Sequence, residues 1–287
     1  MKSVFHYCSK GFKGEVLFAS EEEFIAGMNR IAVCYAICSS ADRPVIILAL
    51  CLMDNHFHFI LLGEEEDCDY FVEDYKKLTA MWVSKHRGEP LSEPIELGHW
   101  HVARDAIGEK IAYVLRNPVA AGMRVTPQGY RWSSASLMFS DFRPEPRVPV
   151  STLSAISVKR LCSTQARIPG DWLITGKLVW PGSYVDFTSA EKAFRSVGSF
   201  LFDLNNSNLD RETEEEMLSD SFSLPDADVR IKAVQFAIDY FRKEKISACS
   251  PEERLRIARL LRIEIKCNTG QLARVLHLKQ EDLRLMV

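Results

Sequence analysis

The chain has 287 residues, 47% of them hydrophobic and 26% charged, with a formal net charge of −3. This is the composition of an ordinary globular protein with room for one substantial core and a smaller second unit. It lacks an apolar run suited to a membrane span and counts against an indiscriminate, overall basic nucleic-acid binder. A local basic groove stays possible, because binding depends on the field near the phosphates.

The opening "MKSVFHYCSKGFKGEVLF" has no apolar signal core, so a cytoplasmic protein is expected. "SVFHYCS" within it reads as a short strand. Cysteines stand at 8, 34, 38, 51, 68, 162, 249 and 267 with no CxxC pair, which favours reduced core thiols over a disulfide or a zinc site. "SEEEFIAGMNRIAVCYAI" follows as a helix, with Ser20 as N-cap and Glu23 as its capping-box partner. "RPVIILALCLMDNHFHFILLG" is too apolar for an exposed strand and reads as strand, turn at Asp54-Asn55, and second buried strand. "CDYFVEDYKKLTAMWVSKHRG" has helical spacing and ends at Gly88. "DAIGEKIAYVLRNPVAAGM" reads as a further helix that should finish near Asn117, because Pro118 disfavours helical geometry in the residue before it. Strands and helices in this order predict an α+β class on an antiparallel sheet.

A boundary is expected at "DFRPEPRVPV", which divides the chain into 1–145, a connecting region 146–225 with no chemistry to name, and a helical region 226–287. Within the connector, "PGDWLITGKLVWPGSYVDF" carries turn signals, "SAEKAFRSVGSFLFDL" looks helical, and "DRETEEEMLSDS" is an acidic run of the solvated kind. The tail begins a helix at "SPEERLRIARLLRIEI", with Ser250 as N-cap and Pro251 in the first turn. "NTGQLARVLHLKQEDLRLMV" then completes the outline of a helix-turn-helix. A three-helix packing domain fits the same pattern. From 251 to 287 there are eight Arg+Lys and five Asp+Glu, a local balance of +3.

His56 and His58 carry the chemistry. Side chains in a strand alternate, so both imidazoles point one way and Phe57 the other. A sheet with helices on one face would bury Phe57 and leave both imidazoles on the open face, to share a divalent metal or to be plain surface histidines. "GHWHV" at 98–102 has the same spacing, and spacing does not tell the two apart. Tyr113 and Asn117 stand at i and i+4 on one predicted helix face. Asn117 offers a carbonyl oxygen to a hard cation such as Mg²⁺ or Mn²⁺, and Tyr113 would sit one turn away as a nucleophile. The plain alternative is a core aromatic and a helix C-cap.

"LMDNHFHFILL" followed by "IAYVLRNPVAAGMRVTPQGYRWSS" resembles the single-tyrosine HUH transposases, and most closely their REP-associated tyrosine transposase branch. That family pairs an "M-x-NH-hydrophobic-H" strand with a "Y-x-x-x-NPV-x-AG" helix and then a "Y-x-W-S-S" segment. Tyr113 lies 55 residues after His58, about the family's separation. The resemblance covers roughly residues 4–140. It implies a ferredoxin-like domain, a divalent cation (Mg²⁺ or Mn²⁺) on His56, His58 and Asn117, and Tyr113 as attacking residue. The implied reaction nicks single-stranded, hairpin-containing DNA through a 5′-phosphotyrosine link and rejoins it.

Two departures bear on substrate. "KHRGEPLSEPIELGHWHVARD" does not match the family's basic-aromatic segment, and Ala120 stands where the family has Arg after "NPV". Candidate DNA-binding residues are Lys76, Lys77, Arg116, Arg124 and Arg131 in the first domain and Arg274, Lys279 and Arg284 in the tail, which would take duplex DNA. A second expectation is a catalytically silent DNA-binding regulator that keeps the scaffold and binds through the tail. A third is a phosphodiesterase without a covalent step. Monomer and homodimer both stay open.

Overall fold

The computed structural model describes residues 2–9, 16–91, 94–121, 126–140, 146–206 and 226–265, together with 272, 275–278 and 283. It forms two compact units, one spanning residues 1–11 and 16–210, the other 12–15 and 211–287. The first is α+β and begins β1 (Ser3–Ser9), α1 (Glu21–Ser40), β2 (Ile46–Leu52), β3 (Phe57–Gly63), α2 (Glu65–Arg87), β4 (Leu97–Val102) and α3 (Ile107–Ala120). The four strands make an antiparallel sheet in the order β2-β3-β1-β4.

Local chemistry sets the elements as expected at several points. Ser20 caps α1, its Oγ accepting from Glu23 N at 3.2 Å. The Glu23 carboxylate turns back to accept from Ala19 N and takes a two-pronged bond from Arg87, whose Nε and Nη2 donate at 2.8 and 2.9 Å. The capping residue thus also ties the end of α2 to the start of α1. Gly88 ends α2 at φ 78°, a left-handed conformation that glycine adopts at little cost. The β2–β3 hairpin closes around Asp54-Asn55, with Met53 N donating to His56 O at 2.7 Å.

The sheet is covered on both faces. Phe57 and Phe59 of β3 meet Tyr75 and Phe71 of α2, their ring centroids 4.9 to 5.6 Å apart. On the other face, Val4, Ile60 and Val102 join Ile111, Ala112, Val114 and Leu115 of α3 in one buried cluster. The open face expected for the histidines is therefore roofed by α3. The amphipathic stripe of that helix needs an apolar partner, and the second face of the sheet supplies it. The helix also outruns its expected end, continuing through Pro118 to Ala120. Pro118 cannot donate to Val114 O, so the helix carries it with that one bond missing, and Ala121 N closes the last turn on Asn117 O at 2.9 Å. Residues 97–102, not expected as a strand, form the edge strand β4.

"YRWSS" lies along the free edge of β2. Leu52 N donates to Trp132 O at 2.8 Å, Ser134 N to Leu50 O at 3.0 Å, and Tyr130 Oη to Leu52 O at 2.8 Å. Tyr130 is buried, and Trp132 stacks on Phe24 at 5.1 Å. These rings pack the domain and protect a sheet edge.

Residues 146–206, read from sequence as a connector, pack within the first unit. Three short strands, β5 (Val148–Pro149), β6 (Leu173–Thr175) and β7 (Leu178–Val179), form a second sheet. Asn29 of α1 holds it: Nδ2 donates to Lys177 O at 2.8 Å and Leu161 O at 3.2 Å, and Oδ1 accepts from Val179 N at 2.8 Å. The stretch expected as one helix near 189–204 is two, Phe187–Glu191 and Val197–Asn206. Phe200 and Leu204 of the second join the α3 cluster.

In the second unit, helices Asp226–Phe241 and Pro251–Ile265 share a core that includes Phe236, Ile257, Leu261, Leu272, Leu276 and Leu283. Ser250 is the expected N-cap, its Oγ accepting from Glu253 N at 3.2 Å, and Glu253 completes a reciprocal box, its Oε2 accepting from Ser250 N at 2.6 Å. Most of the expected helix-turn-helix lies outside the described residues, as do Arg124, Arg274, Lys279, Arg284 and the acidic run. The described cysteines are buried free thiols. No helix among the described residues is long and apolar enough to cross a membrane.

Candidate active site

The site is built where α3 crosses the sheet. Strand register sets its floor: Cys8 stands opposite His58 and His6 opposite Trp100. Cross-strand partners share a face, so these four side chains all point toward α3. His56 lies in the turn just before β3, its ring 4.8 Å from that of His58 and nearly perpendicular to it. Tyr113 enters from α3, its ring 6.1 Å from His58 and 6.0 Å from His6. Helix, strand and turn thus bring together three of the sequence-predicted residues: Tyr113, His56 and His58.

His6 was not among the sequence candidates and is the nearest partner of the site. Its Nε2 lies 3.1 Å from His58 Nδ1, with the two rings stacked 5.3 Å apart at 12°. Trp100 stacks on the far side of His6 at 5.5 Å. The signal for His6 was a strand histidine in "SVFHYCS", which gains meaning only from the pairing of β1 with β3. The same register separates the two HxH repeats. Trp100 faces the site, whereas His99 turns to the α2 face, stacking on Tyr7 at 5.2 Å and pairing with Glu65 of α2 at 3.1 Å.

His58 is fully buried. Burial first, then the neighbouring His56, His6 and Lys110, push its pKa well below the usual histidine value, so it is neutral near pH 7. Neutral imidazole is the metal-binding form. His56 is also suitably oriented, since its Nδ1 donates to Asn55 Oδ1 at 2.5 Å and leaves Nε2 the basic nitrogen. His58 does not fit a cation as it stands. His58 Nδ1 is engaged by His6, and its Nε2 faces Cys8 Sγ at 3.9 Å. Asn117 anchors its amide on the helix through Nδ2, which donates to Tyr113 O at 3.2 Å, a bond that leaves the role of its Oδ1 as acceptor intact. Among the described residues, no group of three or more His, Cys, Asp or Glu side chains is placed to hold a metal ion.

The basic residues expected to line the site are differently disposed. Lys76 and Lys77 are on α2, which covers the opposite face of the sheet, and Lys76 pairs with Glu73 at 2.5 Å. Arg131 pairs with Glu21 at 2.7 Å and lies over Trp132. Arg116 is on α3 with Tyr113, three residues on. Sequence reasoning passed over another cation of α3: Lys110 Nζ lies 5.1 Å from the centre of the Tyr113 ring. No protein-family model, curated protein or solved structure matches the chain.

Proposed function

We propose that the chain nicks and rejoins single-stranded DNA through Tyr113. The carrying observation is the seating of Tyr113 against His58, with His56 beside it. Sequence motifs far apart in the chain meet at one place, as the resemblance to single-tyrosine HUH transposases implies. The element order β1-α1-β2-β3-α2-β4 with strand order β2-β3-β1-β4 is also that of a ferredoxin-like domain, which supports the same reading.

In the proposed reaction, Tyr113 Oη forms a bond to the scissile phosphorus as the P–O3′ bond breaks. The phenol proton passes to solvent and the leaving 3′ oxygen takes one up, giving a 5′-phosphotyrosine and a free 3′-hydroxyl. The energy of the broken phosphodiester is kept in the new one, so the 3′-hydroxyl can reverse the step and rejoin the strand. A divalent cation, Mg²⁺ or Mn²⁺, would polarise the phosphate in this family. His56 and the Asn117 carbonyl oxygen would hold it, but His58 would have to leave His6. The partner is single-stranded DNA with hairpins, and the second unit would add duplex DNA.

The second reading, a DNA-binding protein on a silent scaffold, is favoured by the enclosure of His58 between His6 and Cys8. Denaturing gels after incubation with labelled single-stranded hairpins and Mn²⁺ separate the two. Nicking predicts a covalent band that is lost with EDTA and in Tyr113→Phe. Binding to hairpins with no band under any condition selects the silent scaffold. An adduct that persists in Tyr113→Phe overturns the assignment of the nucleophile.

A further inference from the structure

We infer that Lys110 is a phosphate-binding residue of this site, seated to hold a non-bridging oxygen of the DNA phosphate that Tyr113 attacks. The inference rests on the nicking reading. Lys110 and Tyr113 stand at i and i+3 on α3 and share a face, and the ammonium lies 5.1 Å from the centre of the Tyr113 ring. Both residues are half-buried.

The position is unusual for a lysine. Lys110 is the fourth residue of α3, in the first turn, where the helix dipole is positive and a cation is disfavoured. A residue that breaks a local rule in this way is expected where function needs it. An anion at this place would be bound by the helix start and the ammonium together.

The reaction supplies that anion. A phosphorus that bonds to Tyr113 Oη brings its non-bridging oxygens to the rim of the same ring, and a fixed cation there stabilises the charge they carry in the transition state. Lys76 and Lys77 do not take this part, because they ride on the helix behind the sheet.

The test is equilibrium binding, which does not need turnover. Tyr113→Phe protein is titrated onto a fluorescein-labelled DNA hairpin with a single-stranded 5′ flank, by anisotropy, over a series of KCl concentrations. Loss of one phosphate contact to a single strand lowers the slope of log K against log [salt] by about 0.7. Adding Lys110→Met is expected to lower the slope by that amount, and Lys110→Arg to keep it. A change in local structure alone would not move the slope in this charge-specific way. An unchanged slope in Lys110→Met overturns the proposal, and so does an equal fall in Lys110→Met and Lys110→Arg. If the parent protein binds no hairpin at all, the nicking reading fails, and this proposal with it.

Discussion

His6 Nε2 and His58 Nδ1 lie 3.1 Å apart on adjacent strands, their rings nearly parallel and both fully buried. One nitrogen donates and the other accepts, so the pair couples the tautomers of the two rings and fixes their orientation. His6→Ala should leave a buried ring nitrogen without this bond, a loss of about 2 kcal/mol in urea unfolding. His6→Gln can still reach His58 Nδ1 and should lose less. Equal stabilities for wild type and His6→Ala would show that the contact contributes nothing.

The Glu23–Arg87 pair should give the fold an acid-sensitive joint. Burial raises the Glu23 pKa, but the bonds from Arg87 and Ala19 N outweigh it, and the carboxyl sits below its ordinary value of 4.5. A carboxyl with a lowered folded-state pKa contributes stability above its unfolded pKa and loses it as pH falls through the folded one. Thermal unfolding from pH 7 down to pH 3 should therefore show a decline below about pH 4.5 that is shallower in Glu23→Gln. Glu23→Gln should also be about 3 kcal/mol less stable at pH 7, because Arg87 loses a buried partner. An identical acid limb in the two proteins would remove Glu23 from this role.

Asn29 joins α1 to the second sheet through Leu161 O, Lys177 O and Val179 N. Asn29→Ala strands these backbone groups at the cost of about 2–3 kcal/mol. Limited proteolysis should then cut within 155–185 before it cuts the first sheet. An unaltered cleavage pattern would count against the clamp.

Tyr130 Oη donates to Leu52 O at the end of β2. Tyr130→Phe should cost about 1 kcal/mol and leave hairpin binding unchanged. A large loss of DNA affinity with normal stability would instead make this ring a base-stacking surface.

Much of this was legible from local chemistry. The Ser20 cap, the Gly88 stop, the Asp54-Asn55 turn and the Ser250 cap are each set by a few adjacent residues. The grouping of His56, His58 and Tyr113 was legible only through the motif resemblance. What sequence did not disclose is long-range. The burial of His58 depends on α3 closing over it, the partnership with His6 on strand register, and the unlike settings of His58 and His99 on which face each strand presents. β4 was missed because "LGHWHV" is polar enough for an exposed edge. Lys110 escaped notice because one lysine on a helix has no signature until its neighbour across the turn is known to matter.

The central claim is that Tyr113 is the attacking residue, and peptide mapping of the covalent product tests it most directly. Wild-type protein incubated with single-stranded hairpin DNA and Mn²⁺ would be digested with protease and nuclease and its peptides weighed. The account predicts a residual nucleotide on the peptide that contains Tyr113, joined through a 5′-phosphate. A nucleotide on any other peptide, or unmodified Tyr113 in protein that has bound the hairpin, would contradict it.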